Sequence, residues 1–111
     1  MFTGEGVVFT LDLKGNYTWI CQNIVDVSGY TQEEVIGTHC SRYVHPEDFV
    51  AVAERLANPP IGMTTRDSFR VIDKDGKPVP VECKTLVTND AILGIFYPIN
   101  EHKVYPDGVN K

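Results

Sequence analysis

Gly29-Tyr30-Thr31-Gln32-Glu33-Glu34-Val35-Ile36-Gly37 is followed by His45-Pro46-Glu47-Asp48 and, further on, by Asp73-Lys74-Asp75-Gly76-Lys77. In the first block Thr31 and Glu34 have the spacing of a capping box: the hydroxyl accepts a backbone N–H, and the carboxylate accepts the N–H of the cap residue. A short helix therefore starts there. In the second block Pro46 suits the first helical position, His45 takes the cap, and Glu47 and Asp48 complement the positive end of the helix dipole. In the third, Asp75-Gly76 is a tight turn between strands.

Outward from these blocks, the periodicity alternates between strand and helix. Val7 to Asp12 alternates apolar and polar residues, Lys14-Gly15-Asn16 is a turn, and Tyr17 to Cys21 alternates again, which predicts a hairpin with Val7, Phe9 and Leu11 on one face. Strict alternation puts either Tyr17, Trp19 and Cys21 or Thr18, Ile20 and Gln22 on the outer side. From Gln22 to Ser28 the stripe Ile24, Val25 and Val27 is helical and Gly29 ends it. Gly37 to Val44 is an irregular connector. Phe49, Val52, Ala53 and Leu56 recur at helical spacing until Asn58-Pro59-Pro60, so the longest helix lies here. Arg66 to Asp73, Val79 to Thr88 and Ala91 to Ile99 read as three strands, with turns at Asp75-Gly76 and Asn89-Asp90. Two strands, a helical excursion and three strands make an α+β pattern: one antiparallel sheet with its helices on one face.

The 111 residues, 42% of them hydrophobic, suffice for one modest core and hence one domain. Ten basic residues against fifteen acidic ones give a formal charge of -5, without the basic patch that nucleic acid or an anionic membrane surface requires. No apolar run has the length of a membrane span, and the N-terminus lacks the pattern of a secretory signal, so a cytoplasmic setting is expected. Cys21, Cys40 and Cys83 show neither disulfide-framework nor zinc-ligand spacing, and reduced thiols suit that compartment.

The three blocks in this order, with the strand Ala91-Ile92-Leu93-Gly94-Ile95-Phe96 behind them, resemble the PAS fold, the sensory module found in bacterial histidine kinases, cyclases and transcription regulators. The resemblance runs from about Gly6 to Glu101 within a single domain spanning 1–111, with 102–111 as a tail or the start of a linker. It implies a five-stranded antiparallel sheet in the order 2-1-5-4-3, enclosing a small cavity with the helices. It also implies a homodimer, an attached effector domain, and a small molecule or partner bound in or on the core. The alternatives are an interaction module with a filled core that only mediates dimerisation and, third, a flavin- or haem-bearing photoreceptor or redox sensor.

The chain departs from family patterns at several places. Cys21 stands where such domains often carry an asparagine that caps the first helix; cysteine caps poorly, so packing is the favoured role over redox sensing. Gly37-Thr38-His39-Cys40 resembles the loop that holds the photoreactive cysteine of light-oxygen-voltage flavin domains, but Ser41-Arg42-Tyr43-Val44 does not continue that motif. Val71 and Val81 occupy the offsets where those domains place flavin-binding asparagines, and a flavin edge unpaired there would lose roughly 1–3 kcal/mol per group. The long helix has no histidine for haem; His45 reads as a cap, His39 lies in the connector and could turn inward, and His102 lies in the tail. No cofactor is expected, and flavin and haem are disfavoured. Glu33, Glu34, Glu47 and Asp48 are explained as acids at helix starts, and no nucleophile elbow or phosphate loop accompanies them, so the domain is not expected to be an enzyme.

Trp19, Cys21, Tyr30, Cys40, Tyr43, Phe69 and Phe96 are the candidate pocket residues, able to line a cavity or to fill the core. The sparsely apolar stretch from Gln22 to Val44 is the expected gate. At the exit, Pro98-Ile99-Asn100 replaces the Asp-Ile-Thr common in the family, and Pro98 is expected to end ladder pairing or to form a bulge. Pro80 needs a bulge or a slot without a ladder donor.

Overall fold

A computed structural model describes residues 6–99; the expectations for Asn100, His102 and the tail lie outside the described residues. The elements are β1 (Val7–Leu11), β2 (Tyr17–Ile20), α1 (Ile24–Ser28), α2 (Gln32–Val35), α3 (Pro46–Ala57), β3 (Thr64–Ile72), β4 (Pro78–Val87) and β5 (Ile92–Pro98). The sheet is antiparallel throughout, in the order β2-β1-β5-β4-β3. This is the α+β architecture anticipated from the periodicity. Val7, Phe9 and Leu11 share the buried face of β1, where they meet Ile24 of α1, Val35 of α2 and the inward residues Val81, Cys83 and Phe96.

Local chemistry sets the helix ends as the residues dictate. Gly29 ends α1 in the left-handed region, at φ 80°, and Thr31 and Glu34 complete the capping box. His45 Nδ1 accepts the Glu47 N–H at 3.1 Å and caps α3, while the connector contains a 3-10 helix, Cys40–Arg42, capped by His39.

The alternation expected for the second strand fails for a physical reason. Thr10 pairs with Trp19 but Leu11 pairs with Tyr17, so Thr18 is an extra residue, a β-bulge. Tyr17 and Ile20 therefore pair with Leu11 and Phe9 of the inner face, while Trp19 pairs with the outward Thr10, whose hydroxyl bonds Thr18 Oγ1 at 2.6 Å. Neither alternation register survives.

The connector also protects an edge. Along the free side of β3, His45 N–H donates to Arg70 O at 2.9 Å and Ile72 N–H to Tyr43 O at 2.6 Å. Asp48 Oδ2 accepts the Arg70 N–H at 2.8 Å. Because both backbone groups of Arg70 point to this edge, its partner Pro80 turns its own backbone towards β5, where its carbonyl accepts the Ile99 N–H at 3.0 Å. The missing proline donor thus falls at the far end of β5. Pro98 remains in the ladder opposite Val81 as the last residue of its strand.

Candidate ligand cavity

α3 is the only long helix among the described residues, and none of its residues is buried. Its apolar stripe is present, yet Phe49, Val52, Ala53 and Leu56 remain half-buried. Beneath the helix lies a cavity of about 130 Å³. Val52 and Leu56 form its roof, Phe9, Leu11 and Ile92 part of its floor, and Phe69, Cys83 and Val87 continue the wall across β3 and β4. An amphipathic helix ordinarily buries its stripe. Here the stripe faces a hollow.

The helix is held to the sheet at its ends. At the N-terminal end Arg70 bonds Asp48 through Nε at 2.9 Å and Nη2 at 2.8 Å, and reaches Glu47 at 3.1 Å. Those bonds to the Arg70 guanidinium hold the Asp48 carboxyl at about 2 and raise the arginine further above its usual value. At the C-terminal end Arg55 forms a bidentate pair with Asp67 of β3, at 2.7 and 2.8 Å. Both residues border the cavity and both retain solvent contact, so the pair spans its mouth. Thr65 and Thr85, on adjacent strands at the same end, bond each other through their hydroxyls.

Of the seven residues singled out in the sequence, Cys40 and Phe69 line this cavity. Tyr43, Tyr30 and Phe96 instead join a chain of rings behind it. Phe96 packs on Phe9 at 5.8 Å, Phe9 on Tyr17 at 5.9 Å, Tyr17 on Tyr43 at 6.0 Å and Tyr43 on Tyr30 at 5.1 Å, with Lys74 over the last ring. Trp19 does not reach the cavity, because the bulge at Thr18 turns it to the outer face. Cys21 lies at the mouth of the β2–α1 junction, where its sulfur accepts the Val8 N–H at 3.3 Å and donates to Asn23 Oδ1 at 2.6 Å. Asn23, the cap residue of α1, makes no side-chain cap and instead donates to Gly6 O. The thiol is a joint in the fold, away from the hollow.

The gate anticipated at Gln22 to Val44 meets this cavity at its C-terminal end. Of that stretch only Cys40 and Val44 line the cavity; α1 and α2 pack on the core elsewhere, and Lys74 ties the β3–β4 turn to Glu34 at 2.9 Å. The roof is α3. Sequence reasoning missed Tyr17, Cys83, Arg55 and Asp67. Cys83 shares an alternation face with Val81, which was a usable signal, whereas the Arg55–Asp67 pair spans two distant elements and has no signature in spacing.

A flavin does not fit these residues. Val71 and Val81 are buried on the inner face, and the hollow is of single-ring size rather than that of a fused three-ring system. Cys40 is buried, and desolvation pushes its thiol up to about 11, away from a reactive thiolate. Haem has no ligand at hand in the connector, since His39 accepts the Ser41 N–H through Nδ1 and bonds Lys14 O through Nε2 at 2.7 Å. Among the described residues no group of three or more His, Cys, Asp or Glu could hold a metal ion. No described helix is long and apolar enough to cross a membrane.

A family model described as the PAS fold matches residues 17–93. Neuronal PAS domain-containing protein 3 of Mus musculus is 32% identical over 101 residues, a match covering 80% of this chain but 11% of that protein. The chain therefore spans a small part of that curated relative. The PAS domain of an HTR-like protein from Haloarcula marismortui has a TM-score of 0.76 at 22% identity, over 85% of this chain and 81% of that one. The PAS domain of the RpfR quorum-sensing receptor of Cronobacter turicensis, in complex with BDSF, has a TM-score of 0.73 at 16% identity, over 88% and 97% of the two chains. With the sheet order, the capped helices and the hollow under α3 established independently, the match over residues 17–93 settles the family: this chain belongs to the PAS fold.

Proposed function

We propose that this domain is the sensory module of a larger signalling protein, that the hollow under α3 takes a small molecule, and that occupancy is passed through the sheet to an attached effector. The observation that carries the reading is the unburied stripe of α3, tied to the sheet by ion pairs at its ends over a cavity of about 130 Å³. PAS domains are generally sensory rather than catalytic, and the related RpfR domain was solved with a small molecule bound. The described acids support the same side: Glu34 caps α2 and pairs with Lys74, while Glu47 and Asp48 pair with Arg70. A cytoplasmic setting accords with three free cysteines, two of them buried as neutral thiols.

The second reading, a dimerisation module, is favoured by the outer sheet face. Val8, Trp19, Leu86 and Leu93 are exposed apolar residues on neighbouring strands there. The two readings are compatible, and native mass spectrometry of freshly purified protein with an absorption spectrum separates their contributions. A colourless protein carrying a small added mass, lost in Val52→Trp and Leu56→Trp variants that fill the hollow, supports the sensor. A bare dimer that gains no mass from any small-molecule library would leave dimerisation alone. A stoichiometric flavin or haem band would overturn the account of the cavity.

A further inference from the structure

Tyr17 lines the cavity, and no group among the described residues is hydrogen-bonded to its hydroxyl. Its neighbour in the ring chain behaves differently: Tyr43 Oη bonds Thr38 Oγ1 at 2.8 Å. Tyr17 is half-buried as a residue and packs against the core, and a hydroxyl shut off from water ordinarily finds a partner, because an unmet donor there is costly. Phenylalanine would fill the same space without that cost. The Tyr17 phenol is desolvated, which pushes its pKa far above the usual value, and the ionisable groups that act on it are Cys40, Cys83 and Tyr43. Two are thiols, weak hydrogen-bond partners, and the third is already engaged.

The charges that border the rest of the hollow are already paired: the Asp48 carboxylate is held by the Arg70 guanidinium at 2.8 Å and is not free to meet a cationic guest. Burial raises the Cys40 thiol to about 11 and the Cys83 thiol to about 12, so both are neutral. Arg55 and Asp67 at the mouth neutralise each other, and the Thr65 and Thr85 hydroxyls are mutually bonded. An ionised guest would be desolvated without a counter-charge. Size restricts the guest further. At about 130 Å³ the space is slightly smaller than an engineered apolar cavity of about 150 Å³ that accepts benzene. It is well below the roughly 300–1,000 Å³ of sites for drug-sized ligands.

We propose that the cavity selects an uncharged, single-ring molecule bearing one hydrogen-bond acceptor, and that Tyr17 Oη donates to that acceptor. This rests on the reading of the hollow as a ligand site and adds the ligand class and the residue that sets it. Tyr17 is then a specificity residue: it discriminates among ring compounds that apolar contact alone would accept equally.

Titration of the described domain within its full chain with four probes of matched size tests this: acetophenone, ethylbenzene, benzoate and benzylamine, followed by calorimetry and amide chemical shifts. Acetophenone is expected to bind about tenfold more tightly than ethylbenzene, the ratio given by one net hydrogen bond. Benzoate and benzylamine are expected to leave the spectrum unchanged at concentrations that saturate with acetophenone. Tyr17→Phe is expected to erase the preference for acetophenone while retaining ethylbenzene, a result that also shows the variant is folded. Benzoate binding as tightly as acetophenone would overturn the proposal, with Arg55 exchanging Asp67 for the ligand carboxylate. Equal binding of the two neutral probes, lost in Val52→Trp, would overturn the role of Tyr17 yet leave the ligand site standing. If none of the four binds, both the ligand class and the site itself fall.

Discussion

Gly94 shows how one missing side chain shapes the floor of the hollow. A Cβ on Gly94 would lie 2.3 Å from Cζ of Phe9, whose ring crosses the sheet at that point and lines the cavity. Gly94→Ala must therefore push the ring aside, and overpacking of this kind costs about 1–3 kcal/mol. Urea denaturation should read that loss, and Phe9→Leu in the Gly94→Ala background should recover part of it, a coupling that a merely entropic effect of alanine would not produce. The capping residues were legible in the sequence because each acts within three or four positions: Thr31 with Glu34, and His45 with Pro46 and Glu47. Tyr17 was not, since its unmet hydroxyl becomes visible only when Leu11, Cys40 and Cys83 are assembled around it from separate strands and the connector.

The helix α3 behaves as a roof fastened at its eaves. Asp48 is the fastening at the N-terminal end, and its depressed pKa makes that fastening acid-sensitive. A carboxyl whose folded pKa is about 2, against an ordinary 3.8, contributes stability that is fully present above the ordinary value and is lost as pH falls through the folded one. The stability gap between wild type and Asp48→Asn should thus hold steady at neutral pH, at about 1–2 kcal/mol for a partly exposed pair with charge-assisted bonds. Denaturation series should show it closing between pH 4 and pH 2; a gap unchanged across that window would mean that Asp48 acts by shape alone. With no buried residue, α3 should also exchange its amides faster than β1 and β5, as native-state exchange can measure. Equal protection would mean that the helix is packed down. The amphipathic pattern of α3 was legible from Phe49, Val52, Ala53 and Leu56, but that its apolar side meets a space was not. Periodicity tells which face turns inward and is silent on what fills the inside. The bulge at Thr18 was likewise hidden, because an extra residue keeps the apolar and polar letters in place while changing the side on which they emerge.

For the molecule as a whole, the sheet divides two surfaces with different roles: an inner face that meets the helices around a hollow, and an outer face where Trp19 and Leu93 are exposed. The sheet order was legible through the family resemblance, and the strands themselves through their alternation. Outer-face residues paired across strands are suited to burial against a second copy of the chain. Trp19 is the sole tryptophan, so its emission reports that face. On concentration into the high micromolar range the emission should shift to the blue as sedimentation reports a dimer, and Leu93→Glu should abolish both; a strict monomer would rule out this pairing for the isolated domain. The hollow itself is best probed by xenon, which enters apolar cavities of this size without needing a hydrogen bond. Under xenon pressure, methyl and amide resonances of Val52, Leu56, Phe69, Val87 and Ile92 should shift together and saturate, while those of Trp19 and Leu93 stay in place. Shifts confined to the outer face, or none at all around α3, would contradict an enterable cavity beneath the helix.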